Sequence, residues 1–279
     1  MDKTKIDWCD MSWNPITGCK HGCTYCYARR IAERFGGYDG NGGITTFNPL
    51  KRAELSQPLT VTRENGKTVK APYPFGFEPT LHRYRLEEAA RKQRGRNIFV
   101  GSMADVFGNW VPVEWIVAVL DACAEAPQHN YLFLTKNPER YRQLNEVALL
   151  PRERNFWYGT TVTNTTQASR ADSAMSYMPD ETKTFYSMEP LLEDVAATKE
   201  WRSTIRGECV DWIIIGAATG PEKEKLQLKR EWVQRIVDDA HAGGIPVFMK
   251  GHLAGVWGDE LIREFPPELA PGRGNHNDE

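Results

Sequence analysis

From residue 77 onward the chain alternates between two patterns. Short apolar runs rich in β-branched and aromatic residues ("FEPTLH", "NIFVGSM", "NYLFLTK", "NFWYGTTV", "KTFYSMEP", "DWIIIGAAT" and "IPVFMKG") each end in small or polar residues and read as strands. Between them the apolar positions take helical spacing. In "PVEWIVAVLDACAEA", Pro112 suits a first helical position, and Val113, Ile116, Val117, Leu120 and Ala124 form one apolar face. "REWVQRIVDDAHAGG" repeats the design with Trp232, Val233, Ile236, Val237 and Ala240 and stops at a glycine pair. This alternation predicts the α/β class, a parallel sheet covered by helices. With "MSWNPIT" as a further strand, the expectation is a full or partial (β/α) TIM-like barrel of six to eight parallel strands. A doubly wound sheet is the alternative, although no G-x-G-x-x-G follows any strand.

The first third of the chain behaves differently. "YARRIAERF" places Tyr27, Ile31 and Phe35 four residues apart and predicts a short helix stopped by Gly36 and Gly37. "GGYDGNGG" reads as a connector, and "LTVTRENGKTVKAPYP" alternates like two strands around Asn65-Gly66. Residues 37–76 therefore read as an insertion carrying a β-hairpin within a single domain of residues 1–265. The polar, Gly/Pro-rich "PPELAPGRGNHNDE" reads as a loose tail over 266–279.

Composition narrows the setting. The 279 residues are 41% hydrophobic, enough for an ordinary core, and the start "MDKTKIDWCDMSW" has no secretory pattern. No apolar stretch approaches the roughly 18 residues of a membrane span. Six cysteines, three of them clustered and Cys9, Cys123 and Cys209 scattered, do not form a disulfide framework. The expectation is a cytoplasmic protein with reduced thiols and no membrane partner. Lys plus Arg number 35 against 37 Asp plus Glu, a net of −2, so any nucleic-acid contact rests on a local patch. "RKQRGR" at 91–96, Arg29 with Arg30, and Lys136, Arg140, Arg142, Arg152 and Arg154 are the candidates, and solvated surface charge is the plainer reading.

In a (β/α) barrel the functional groups gather at the carboxyl ends of the strands. Here those ends carry Thr80 and His82, Ser102 and Asp105, Thr135 and Lys136, Thr161, Thr163 and Asn164, Ser187 and Glu189, Thr219, and Lys250. Singly each reads as a loop or cap residue; together they predict a polar pocket.

The most specific signal is "TGCKHGCTYCYARR", in which Cys19, Cys23 and Cys26 have the spacing C-x3-C-x2-C. Three thiolates can hold three irons of a [4Fe-4S] cluster and leave the fourth open to a small molecule. Alternatively, Cys19, His21, Cys23 and Cys26 could supply a Cys3His zinc site, which is cramped within eight residues. The spacing, with Tyr25 as the aromatic before the last cysteine, resembles the radical SAM superfamily. "WNPITGC", "NIFVGSMADVFG", "LTKNPERY", "GTTVTNTTQASRAD", "SMEPLL" and "GIPVFMKG" are similar to a narrower phage- and bacterium-borne group of radical-SAM-like proteins described by their three-cysteine motif.

That resemblance implies a barrel, a [4Fe-4S] cluster and S-adenosylmethionine, cleaved to a 5′-deoxyadenosyl radical that takes hydrogen from a substrate. It implies a reductant such as flavodoxin or ferredoxin, a partner protein encoded nearby, and a nucleotide or nucleic-acid substrate as the favoured class. Tyr25, Thr80, His82, Ser102, Lys136, Thr161, Asn164 and Glu189 are the cofactor-contact candidates; Asp105, Arg29, Arg30 and Lys250 are the substrate-contact candidates. Two departures stand out. The usual G-G-E is missing, so Thr80 or His82 would replace it, and "GAATGP" stands where relatives would show "GGESGP". A non-catalytic barrel stabilised by iron–sulfur or zinc is the competing function.

Overall fold

The computed structural model describes residues 1–36, 53–62, 65–207, 209–218 and 228–270. Its main sheet has eight strands: β1 (Asp2–Lys3), β2 (Met11–Trp13), β8 (Asn97–Val100), β9 (Asn130–Thr135), β10 (Phe156–Thr161), β11 (Lys183–Met188), β12 (Trp212–Ile215) and β13 (Val247–Met249), in that spatial order. β1 is antiparallel to β2, and every other pairing is parallel. Helices α2 (Val113–Ala124), α3 (Glu139–Glu146), α4 (Thr165–Met175), α5 (Lys199–Arg206) and α6 (Arg230–Ala242) each bridge two successive strands from β8 to β13. Each new strand lies beside the one before it, so the sheet winds one way with no reversal, and the doubly wound alternative fails. Among the described residues β1 and β13 do not pair with each other, and no closed barrel forms.

One face of the sheet (Ile98, Val100, Tyr131, Phe133, Phe156, Tyr158, Tyr186, Ile213 and Val247) packs in the large core cluster with the helices. The other face gathers Phe99, Leu132, Trp157, Phe185, Trp212, Ile214 and Phe248 into a smaller core closed by Trp8 and Leu269. Burial on both faces explains why these strands read as nearly continuous apolar runs. Residues 266–270, expected to begin a loose tail, are instead part of this body. Leu269 is buried, Asn97 Nδ2 donates to the Leu269 carbonyl (2.8 Å), and Asn130 Nδ2 donates to that of Glu268 (3.0 Å). Residues 271–279 lie outside the described residues.

Two strand assignments change. "MSWNPIT" breaks at Asn14-Pro15 into β2 and β3 (Ile16–Thr17), because proline cannot donate to a ladder. β3 leaves the main sheet for a three-stranded one with β4 (Ala53–Leu55) and β7 (Thr80–His82), the "TLH" of "FEPTLH". The hairpin is present as β5 (Thr60–Thr62) against β6 (Thr68–Lys70), with Gly66 at φ 77° in the turn; residues 37–52 of the insertion lie outside the described residues.

The helix faces also shift. In α2 the buried side is Trp115, Ile116, Val119, Leu120, Ala122 and Cys123, so Ala124 faces outward and Pro112 is the N-cap. In α1 (Tyr27–Phe35) the inward residues are Ala28 and Ala32, and the stripe of Tyr27, Ile31 and Phe35 stays exposed. Small side chains let α1 sit close, and its larger apolar residues turn outward. α7 (Ala254–Trp257) follows β13.

Candidate functional site

A cavity of about 810 Å³ opens at the carboxyl ends of the parallel strands. It is lined by Cys19, Cys23, Tyr25 and Cys26, and by Ser102, Asp105, Lys136, Thr161, Glu189 and Lys250, so ten of the residues anticipated from sequence share one space.

The cysteine loop is held by main-chain bonds on both sides. Gly18 N donates to the Met103 carbonyl (2.9 Å) and Cys19 N to that of Phe77 (3.1 Å). Gly18 has φ +91°, and a Cβ there would stand 2.3 Å from the Glu78 carbonyl oxygen, so only glycine fits. Cys26 is the N-cap of α1, its Sγ accepting from Arg29 N at 3.3 Å. Burial, opposed by the His21 main-chain N–H and reinforced by Asp105 and the neighbouring cysteines, pushes the Cys19 thiol up to about 12. Without a cation, Cys19 is a protonated thiol at neutral pH, and metal binding would release that proton.

Among the described residues no group of three or more His, Cys, Asp or Glu side chains is gathered closely enough to hold a metal ion. The donor type fits an iron–sulfur cluster, three thiols from one loop lining one cavity, and holding one would require their side chains to converge.

Asp105, anticipated as a substrate contact, is committed to the protein's own groups. It is 4% exposed and its oxygens are engaged: Oδ2 takes His21 Nε2 at 2.6 Å and Lys136 N at 2.9 Å, and Oδ1 takes Phe107 N at 3.1 Å. It ties the cysteine loop to the ends of β8 and β9, with the His21 ring edge-on to Trp110. Lys136 projects into the cavity, where Nζ donates to Tyr25 Oη (3.3 Å) and lies 5.5 Å from the ring centre. Ser102 exchanges hydrogen bonds with the Asn14 amide and accepts, through its carbonyl, from Tyr27 Oη at 2.8 Å.

In the same cavity Glu189 and Lys250, anticipated as separate cofactor and substrate contacts, form one pair, with Lys250 Nζ 2.6 and 2.7 Å from the two carboxylate oxygens. His252 Nε2 lies 3.3 Å from Glu189 Oε1. Burial alone would raise the Glu189 carboxyl, but His252 and Lys250 outweigh it and hold it below its usual range.

Five of the cofactor- and substrate-contact candidates lie outside this cavity. Thr80 and His82 are buried in the small sheet, Thr80 Oγ1 donating to the Glu78 carbonyl and His82 Nε2 2.8 Å from Thr17 Oγ1, and neither lines the cavity. Asn164 is the N-cap of α4, accepting from Gln167 N at 2.9 Å. Arg29 reaches back to the Cys19 carbonyl (3.3 Å) and lies over Phe77, and Arg30 is exposed on α1. Thr219 falls outside the described residues.

The model of the family described as "Protein of unknown function (DUF5131)" matches residues 3–268. The chain belongs to the DUF5131 family. The matched stretch contains β2 to β13 and the cysteine loop. No match was found among curated proteins or among solved structures. Among the described residues no helix is long and apolar enough to cross a membrane.

Sequence reasoning missed Asn14, Tyr27, Gly216 and His252 as parts of the site. Asn14 and Gly216 follow β2 and β12 directly, so the strand-end rule could have found both; Tyr27 read only as part of a helical stripe, and His252 sits three residues past the end of β13.

Proposed function

We propose that this chain is a cytoplasmic radical S-adenosylmethionine enzyme built on an open (β/α) barrel, with Cys19, Cys23 and Cys26 as the ligands of a [4Fe-4S] cluster. The observation that carries the reading is that all three thiols face the same strand-end cavity as Tyr25, Lys136, Thr161 and Glu189. A bound cluster would supply, from a reductant such as flavodoxin or ferredoxin, the electron that cleaves S-adenosylmethionine to a 5′-deoxyadenosyl radical.

The protein's own groups account for binding and shelter. Lys136 has no ion-pair partner among the described residues and is the cation available to the methionyl carboxylate, with Tyr25 fixing its ammonium. Thr161 and Ser102 provide hydroxyls on the same wall, and Trp8, Phe99 and Phe77 provide apolar surface that excludes water. The favoured substrate class is a nucleotide or nucleic acid, with a partner protein supplying or holding it.

The test is anaerobic purification with iron and sulfide analysis, followed by dithionite and S-adenosylmethionine. The expected result is about four iron and four sulfide per chain and formation of 5′-deoxyadenosine, both lost in Cys23→Ala. Iron-loaded protein that yields no 5′-deoxyadenosine overturns the reading.

The His21–Asp105 pair favours a second reading, a barrel stabilised by metal without catalysis. A histidine whose one ring nitrogen is fixed by a carboxylate presents the other as an oriented ligand, which would complete a Cys3His zinc site. One zinc and no iron per chain selects that reading.

A further inference from the structure

Glu189 follows β11, Lys250 and His252 follow β13, and β12 lies between them. The three side chains meet because β12 ends in Gly216. A Cβ there would stand 3.0 Å from His252 Nε2 and 3.1 Å from Glu189 Cγ, so the middle strand leaves a gap that the flanking side chains fill. The cluster is only partly enclosed, with side-chain exposures of 16% for Lys250, 27% for Glu189 and 28% for His252, and all three line the cavity.

Its unused hydrogen-bonding capacity defines what it can hold. Lys250 directs its ammonium at both oxygens of Glu189 and keeps a further N–H free, and each carboxylate oxygen keeps a lone pair. His252 Nε2 is buried and, among the described residues, has no hydrogen-bond partner, although it lies 3.3 Å from Glu189 Oε1. The Lys250–Glu189 pair is neutral in sum, so it has no net attraction for a phosphate or carboxylate. It suits a group that donates and accepts at adjacent positions. A vicinal diol does this: its two hydroxyls donate to the two carboxylate oxygens while one oxygen accepts from Lys250 or from His252. Ala217 and Ala218, both small, line the cavity beside it.

We propose that Glu189, Lys250 and His252, meeting over Gly216, form a subsite for the ribose diol of a nucleoside-type substrate. Its catalytic meaning rests on the radical SAM reading above. S-adenosylmethionine also carries a ribose diol, but Lys136 and Tyr25, which suit its methionyl end, stand at β9 and the cysteine loop. The diol subsite spans β11 to β13, two to four strand spacings of about 4.8 Å further along the sheet.

The experiment titrates the full chain, purified anaerobically, with uridine and with 2′,3′-dideoxyuridine by calorimetry or ligand-observed NMR. The expected result is that uridine binds at least about tenfold more tightly than its dideoxy analogue, as the loss of charge-assisted hydrogen bonds requires. In E189Q that ratio falls to about one, and saturating S-adenosylmethionine leaves uridine bound.

Equal affinity for the two probes, no uridine binding, a ratio that survives in E189Q, or displacement of uridine by S-adenosylmethionine overturns the assignment. Displacement would give the diol site to the cofactor's own ribose. Should E189Q fail to fold, G216A carries the same readout, and the comparison of probes on the unaltered chain needs no variant. Iron content and 5′-deoxyadenosine, measured on the same preparation, report on the radical SAM reading separately. Diol recognition can therefore fail while that chemistry stands, or the reverse.

Discussion

The Asp105 carboxylate and the His21 imidazole meet at 2.6 Å although 84 positions separate them in the chain. That contact joins the loop carrying three cysteines to the strand ends carrying Lys136, and Asp105 completes the join by accepting the Lys136 main-chain N–H.

Asp105→Asn removes the negative charge and points an amide group at one of these donors. Loss of hydrogen bonds by buried partners costs about 1–3 kcal/mol. Urea denaturation of the metal-free chain is expected to show a lower midpoint with an unchanged slope, as for a stability change alone. An unchanged midpoint would show that Asp105 does not hold the loop.

Cys26 has two separable functions, N-cap of α1 and proposed ligand. Cys26→Ala removes both, whereas Cys26→Ser keeps an oxygen that caps well. The alanine variant is expected to be about 1 kcal/mol less stable than the serine variant by chemical denaturation, while both are expected to fail to bind the proposed cluster.

Gly18→Ala is expected to be far more disruptive than its size suggests. Its φ of +91° is unfavourable to alanine, and the new methyl would meet the Glu78 carbonyl at 2.3 Å. A loss of at least about 2 kcal/mol is expected, together with faster modification of Cys19, Cys23 and Cys26 by a thiol reagent, followed residue by residue by mass spectrometry.

His82 sets an acid limit on stability. Burial first, and the nearby Arg85 second, bring its imidazole down to about 3 from the usual 6.5, so it is neutral in the folded chain. The unfolded chain takes up this proton first as pH falls. Its stability contribution is therefore complete above about pH 6.5 and is lost progressively between there and about pH 3. His82→Gln is expected to flatten the stability-versus-pH curve across that window, as measured by urea midpoints at a series of pH values; an unchanged slope would refute the assignment.

Much of the scaffold was legible in the chain. Strands β8 to β13 are apolar on both faces because both faces are buried, and the inward positions of α6 follow helical spacing, with Val233, Ile236, Val237 and Ala240 all buried. The hairpin β5–β6 followed from alternation around Asn65-Gly66. The cysteine loop could be read because all its ligand candidates lie within one turn-rich segment.

The misreadings share a different cause. "FEPTLH" has the local pattern of a core strand, and only pairing with β3 and β4 sends it to a separate sheet with Thr80 and His82 inside. The stripe of Tyr27, Ile31 and Phe35 has the spacing of a buried face, yet the close approach of α1 suits Ala28 and Ala32. Asn164 at a strand end is also at a helix start, and the main-chain N–H of Gln167 claims its side chain.

The sequence by itself determined the α/β alternation, the C-x3-C-x2-C loop and the polar strand ends, since each depends on residues close together in the chain. Only the tertiary structure decided that the sheet winds one way without closing among the described residues, that Asp105 serves His21 and Lys136, and that Glu189, Lys250 and His252 meet over Gly216. Those outcomes depend on which strands become neighbours, and strand pairing across a hundred residues is set by the summed burial of two sheet faces, which no local pattern contains.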